Sequence, residues 1–172
     1  MGIRFSVQAD DPRMLGAVLE SEADDVRFGS EYCESLLPTC AALAAARNST
    51  LGSGMTFTYV TPRVSNSGLE LVAEHLAMLS EYDETAVTEN DYGVLQLLRR
   101  HSSLDKCVGR HLTRVPARSP WSEHYIEGED SDSDRGKWVR ALYSATSLNF
   151  GPTLGFLASL GCTRAELDWL PG

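Results

Sequence analysis

Several polar residues in this 172-residue sequence stand directly after short apolar runs. Glu31 follows Val26-Arg-Phe-Gly29, and Arg63 and Asn66 follow Met55-Thr-Phe-Thr-Tyr-Val-Thr61. Asn90 and Asp91 follow Thr85-Ala-Val-Thr88, Arg110 and His111 follow Cys107-Val-Gly109, and Glu166 and Asp168 close the last run. Carboxylates facing arginines can hold a charged substrate, and such a site can move a carboxyl pKa toward acid–base use. We read Glu31, Arg63, Arg110 and His111 as catalytic candidates, with Arg63 first among them. Asn66, Asn90, Asp91 and Asp168 are the substrate-binding candidates. Asp10, Asn66 and Asp91 also precede expected helices, where the same residue types serve as N-caps. Glu31, Arg63 and Arg110 are harder to explain as caps, although an arginine beside a buried strand needs a partner for structural reasons too.

Cys107 and His111 are four residues apart, and Cys33 could join them at the strand ends. That set is a weak metal candidate, or a cysteine nucleophile at Cys33 activated by His111. On a strand the four-residue spacing merely puts two side chains on one face, so no metal is assigned. Cys40 and Cys162 read as small core residues, and His75 and His101 as helix residues at the surface or satisfied in the core. Trp121, Trp138 and Trp169 fall in or beside loops, where they line a pocket or cover the end of the sheet.

The elements that must position these groups follow from periodicity. Apolar runs at Ile3–Val7, Val26–Gly29, Met55–Thr61, Thr85–Thr88, Cys107–Gly109 and Cys162–Leu167 read as strands. Between them lie helical patterns: one opened by Pro12 with Asp10 or Asp11 as N-cap, then Pro38–Arg47, Gly68–Ser80, Tyr92–His101 and Gly151–Leu160. Residues 113–137 hold two prolines and the acidic run Glu127–Asp134 and read as a long loop, with a helical turn recovering at Trp138–Tyr143. The acidic run lacks the glycine spacing of a calcium loop. The expectation is a single α/β domain over 1–172, an incomplete TIM-like (β/α) barrel with about six parallel strands. No Gly-x-Gly-x-x-Gly loop follows the first strand, which argues against a dinucleotide-binding sheet.

Composition narrows the function classes. A net charge of −9, with 42% hydrophobic and 23% charged residues, describes a globular chain without general affinity for phosphate backbones or anionic membrane. The one basic cluster, Arg110 to Arg118, leaves room only for a local anion site. No apolar run approaches a membrane span, no signal-like segment opens the sequence, and the four scattered cysteines suit a reducing compartment. A cytoplasmic location is expected.

Five stretches taken in order resemble the U32 peptidase family: Asp24-Asp-Val-Arg-Phe-Gly-Ser-Glu-Tyr-Cys33, Phe57-Thr-Tyr-Val-Thr-Pro-Arg-Val-Ser-Asn66, Glu89-Asn-Asp-Tyr-Gly-Val-Leu95, Val108-Gly-Arg-His-Leu112 and Arg164-Ala-Glu-Leu-Asp168. The resemblance implies an α/β barrel and a hydrolase or a modification enzyme. Family members include collagenase-like peptidases, tRNA and ribosomal RNA modification proteins, and oxygen-independent ubiquinone hydroxylases with an iron–sulfur cluster. In the cluster-bearing members one cysteine stands where Cys33 does and the others come mainly from beyond the sixth strand, a group that Cys40, Cys107 and Cys162 do not match. The resemblance therefore implies no intact iron–sulfur cluster within this chain alone and leaves the cofactor unknown. A family barrel would need about two further strands, so the edges of a six-stranded sheet call for cover. The candidates are a second copy in a homodimer, a separate partner subunit, or residues 113–150. The expected ligand is a small polar or anionic substrate, and a non-catalytic binding or assembly protein is the alternative.

Overall fold

In the computed structural model of the protein, residues 3–113, 115, 121–128 and 132–167 are described. Six strands form one sheet: β1 Ser6–Ala9, β2 Asp25–Gly29, β3 Thr56–Val60, β4 Thr85–Glu89, β5 Asp105–Val108 and β6 Arg164–Ala165. Every neighbouring pair is parallel, and the order across the sheet is the order along the chain. Each crossover thus advances one position in the same direction, with no reversal of the kind that creates the crevice of a doubly wound sheet. The α/β class and the all-parallel sheet expected from the sequence are present.

The crossovers carry helices α1 Leu15–Leu19, α2 Cys40–Gly52, α3 Asn66–Leu79 and α4 Tyr92–Leu98. After β5 come α5 Ser122–Glu127, α6 Asp134–Ser144 and α7 Gly151–Ser159. Among the described residues no helix is long and apolar enough to cross a membrane.

Alternation along the strands divides the sheet into two chemically different faces. Val26 and Phe28 of β2, Phe57 and Tyr59 of β3 and Val87 of β4 are at most 1% exposed and pack with Leu43, Val72, Leu76 and Leu79 of the helices. That side is the core. The residues between them, Gln8, Arg27, Thr58, Thr88 and Cys107, face the other way and make a polar surface. Gly29 ends β2 with φ 116°, and a Cβ there would collide with the Val60 carbonyl, so no other residue closes this strand against β3.

Capping explains where the structure departs from the periodicity. Thr39 accepts from the Ala42 N–H at 3.2 Å, so α2 starts after Pro38 and runs on to Gly52. The 3-10 turn Pro12–Met14 ahead of α1 is capped by Asp11, and α3 by Ser65, one residue before Asn66. The stretch read as a loop over 113–137 holds α5 and the first turn of α6. Ser133 accepts from the Gly136 N–H at 2.9 Å, and Asp134 lies in that first turn. The end of the acidic run is therefore a helix start, whose polar residues satisfy orphan N–H groups. The sixth strand shrinks from Cys162–Leu167 to two residues, the pair that registers with Cys107 and Val108. Arg114, Arg118, Asp168 and Trp169 lie outside the described residues.

Candidate functional site

The polar face of the sheet opens into two adjoining cavities of about 430 and 320 Å3 that share Ser6, Arg27 and Glu166. The larger lies toward the carboxyl ends of the strands, where Glu31, Tyr32 and Arg110 close it.

Its centre is Arg27. Because Val26 and Phe28 point into the core, Arg27 must point into the cavity. Its Nη1 donates to Glu166 Oε1, its Nη2 to Glu166 Oε2 at 2.9 Å and to Glu31 Oε1 at 3.0 Å, and its Nε to Gln8 Oε1 at 3.2 Å. Arg110 then donates from Nε to Glu31 Oε2 at 2.9 Å, and from Nη2 to the same oxygen and to the Tyr32 hydroxyl at 2.6 Å. At the other end the Thr88 hydroxyl donates to Glu166 Oε1 at 2.8 Å. One chain of charge-assisted bonds thus runs from the rim at Arg110 through Glu31 and Arg27 to Glu166 on the floor. Burial disfavours the Arg27 charge, but the Glu166 hydrogen bond and the charges of Glu166 and Glu31 outweigh it, leaving its pKa above the ordinary arginine value.

The structure brings Glu31, Arg110 and His111 of the expected catalytic group to this rim. The His111 ring lies 4.8 Å from that of Tyr32, and the Arg110 guanidinium sits 5.5 Å over the same tyrosine. Arg63 is exposed beside them and donates to the His111 carbonyl at 3.3 Å. It does not line either cavity.

The expected substrate-binding residues have local partners. Asn90 is fully buried, donates to the Thr61 carbonyl at 3.0 Å and accepts from the His111 N–H at 3.1 Å, so it ties together the ends of β3, β4 and β5. Asp91 caps α4, accepting from Gly93 and Val94 N–H groups at 2.6 and 3.3 Å, and also meets the Val64 N–H at 3.4 Å. Asn66 is the exposed first residue of α3. Asp10 accepts from Gln8 Nε2 at 2.8 Å at the cavity mouth.

Cys107 lies on the cavity floor, 4.0 Å from Glu166 Oε1, and burial, reinforced by the Glu166 charge, pushes its thiol up to about 11. A thiol held protonated is a poor nucleophile and a poor metal ligand. Cys33 is part-exposed after β2, Cys40 opens α2, and Cys162 lies on the helix side of the sheet beside Glu89. Among the described residues no three His, Cys, Asp or Glu side chains stand where they could hold a metal. The cysteines do not fit the thiolate set that an iron–sulfur cluster requires.

Two groups escaped the sequence reading. Arg27 was hidden inside an apolar run, and its signal was strict alternation: a charged residue between Val26 and Phe28 must face away from the core. Glu89 is 0% exposed on the helix side, where Cys162 Sγ lies 3.6 Å from its Oε1 and Oε2 has no hydrogen-bond partner among the described residues. Burial pushes its carboxyl up to about 8, with the Glu166 charge adding to the rise and Lys106 opposing it. Thr88, its neighbour, faces the cavity, so Glu89 is on the wrong side of β4 to act there.

No protein-family model matches this chain, and no curated protein or solved structure matches it.

Proposed function

We propose that this protein binds a small polar or anionic substrate in the cavity at the carboxyl ends of its strands, through Arg110, Glu31 and Arg27. The observation that carries this reading is the chain of arginines and carboxylates along a 430 Å3 cavity on the polar face. A ligand anion would displace Glu31 from Arg110, the more exposed arginine of the pair, while hydroxyl or amine groups would meet Asp10 and Glu166. We further read the six strands as the greater part of a (β/α) barrel of the U32 peptidase type. Sequential parallel order favours this, because it is the order of barrel strands. Hydrolysis or a modification reaction would follow from that kinship, in a cytoplasmic protein with free cysteines.

The test is thermal unfolding at fixed ionic strength with inorganic phosphate, succinate and glycine, on the wild type and Arg110→Ala. A rise in Tm for at least one probe in the wild type, absent from the variant, supports the reading. Equal responses in both proteins, or none in either, reject it.

A second reading is a non-catalytic binding or assembly protein. It is favoured by the saturation of Arg27, whose Nε and both Nη groups already have partners within the chain.

A further inference from the structure

The larger cavity is not balanced in charge, and the surplus sits at one place. Asp10, Glu31 and Glu166 line it against Arg27 and Arg110. Glu31 accepts from Arg27 through Oε1 and from Arg110 through Oε2, while Glu166 accepts from Arg27 through both oxygens. The two arginines and the two glutamates therefore neutralise one another. Asp10 is left over. Among the described residues its one partner is the neutral amide of Gln8, whose Nε2 donates to Oδ1 at 2.8 Å, and Oδ2 has none.

Strand alternation puts that carboxylate at the mouth. Val7 and Ala9 pack on the core side, so Gln8 between them faces the cavity from β1. Arg27 Nε donates to Gln8 Oε1, which turns Nε2 toward the Gly29 carbonyl and Asp10. Asp10, exposed just past the end of β1, is thus the terminal acceptor of the chain that begins at Arg110. Gln8, Arg27 and Glu31 lie between the two ends, so the cavity is cationic at one, where Arg110 is 34% exposed, and anionic at the other. The exposed side chains of Tyr32 and Leu167 supply its apolar lining.

We propose that the ligand of this cavity is a zwitterion, an amino-acid-like molecule whose carboxylate meets Arg110 and whose primary ammonium meets Asp10, with a short methylene spacer against Tyr32 and Leu167. The inference rests on the reading of the cavity as a ligand site and narrows it. An ammonium gains a charge-assisted hydrogen bond at Asp10 Oδ2 and cancels the one surplus charge. A dianion of the same size brings a second negative charge to Asp10 and is selected against.

Isothermal titration calorimetry with matched probes tests it. The zwitterions are glycine, β-alanine and γ-aminobutyrate, each beside the acid that lacks the ammonium: acetate, propionate and butyrate. Propylamine serves as the amine without a carboxylate and succinate as the dianion. At least one zwitterion should bind the wild type about 10-fold or more tighter than its own acid, the usual worth of a hydrogen bond to a charged group, and tighter than propylamine or succinate. Asp10→Asn keeps an acceptor for Gln8 and removes only the charge, so it should abolish the preference for zwitterion over acid with the circular dichroism unchanged. Asp10→Ser takes its place if that variant does not fold. Acids or succinate that bind through Arg110 as tightly as the zwitterions overturn the inference and leave the ligand-site reading standing, whereas binding by none of the probes overturns both. A preference that survives at Asp10→Asn, or propylamine binding as tightly as the zwitterions, also overturns the inference.

Discussion

Arg27 on β2 and Glu166 just past β6 meet in a two-point ion pair, although 139 residues and three intervening strands separate them. The pair spans the concave polar face, so it ties the second strand to the chain just past the sixth while forming the cavity floor. Both side chains are mostly shielded from solvent, at 16% and 20% exposure. Arg27→Met would leave Glu166 and Glu31 without their shared cation. We predict a loss of about 2–4 kcal/mol in urea unfolding, since removing one member of a buried pair costs more than the pair contributes. Arg27→Met combined with Glu166→Met should recover part of that loss. A single variant as stable as the wild type would show that the pair holds nothing together.

Asp91 distinguishes a cap from a ligand-binding carboxylate. Its Oδ1 already takes two N–H groups at the start of α4. Asp91→Ala should cost about 1 kcal/mol of stability, the usual effect of losing a cap. Asp91→Ser should restore most of it, and neither should alter the phosphate, succinate or glycine response. A variant of unchanged stability that loses that response would reverse the assignment.

The strands and the α/β class were legible because β2, β3 and β4 carry compact apolar runs and polar strand ends, which survive in any context. The candidate site was legible only at its rim. Glu31, Arg110 and His111 follow strands and are visible as polar residues after apolar ones. Arg27 is decided by which face of β2 meets the helices, a tertiary fact that the run Val26-Arg-Phe-Gly29 records only through its alternation. Asp91 and Asn90 looked like ligand-binding groups because a cap, a clamp and a binding residue share one polar vocabulary. The helix start at Ser133-Asp134 was lost for the same reason: its residues are those of a loop until Gly136 supplies the N–H.

The thiols should report their surroundings. Burial pushes Cys107 up to about 11 and Cys162 up to about 12, the latter helped by the neighbouring Glu89 carboxylate. Both should resist iodoacetamide at pH 8 in the folded protein and react in urea, as followed by peptide mass spectrometry. Rapid labelling of Cys107 in the folded state would mean that the cavity floor opens, and would return that thiol to consideration as a nucleophile.

Stability should depend on pH through two buried groups with opposite signs. Burial pushes the Glu89 carboxyl from 4.5 up to about 8, so the folded state holds a proton that the unfolded chain releases. Its contribution is complete below pH 4.5 and is lost as pH rises toward 8, on the order of a few kcal/mol in all. His75, hydrogen-bonded through Nδ1 to the Tyr59 hydroxyl at 2.7 Å, is pushed by burial from 6.5 down to about 4. There the unfolded chain binds the extra proton, so stability rises with pH from about 4 to 6.5 and is level above. Between pH 4.5 and 6.5 the two slopes oppose each other, and above 6.5 only the Glu89 slope remains. Glu89→Gln, which mimics the protonated acid, should therefore be less sensitive to pH than the wild type between 6.5 and 8, while His75→Gln should differ from it mainly below 6.5. Urea unfolding at half-unit pH steps measures both, and a Glu89→Gln profile parallel to that of the wild type between 6.5 and 8 would mean that Glu89 is already ionised in the folded protein.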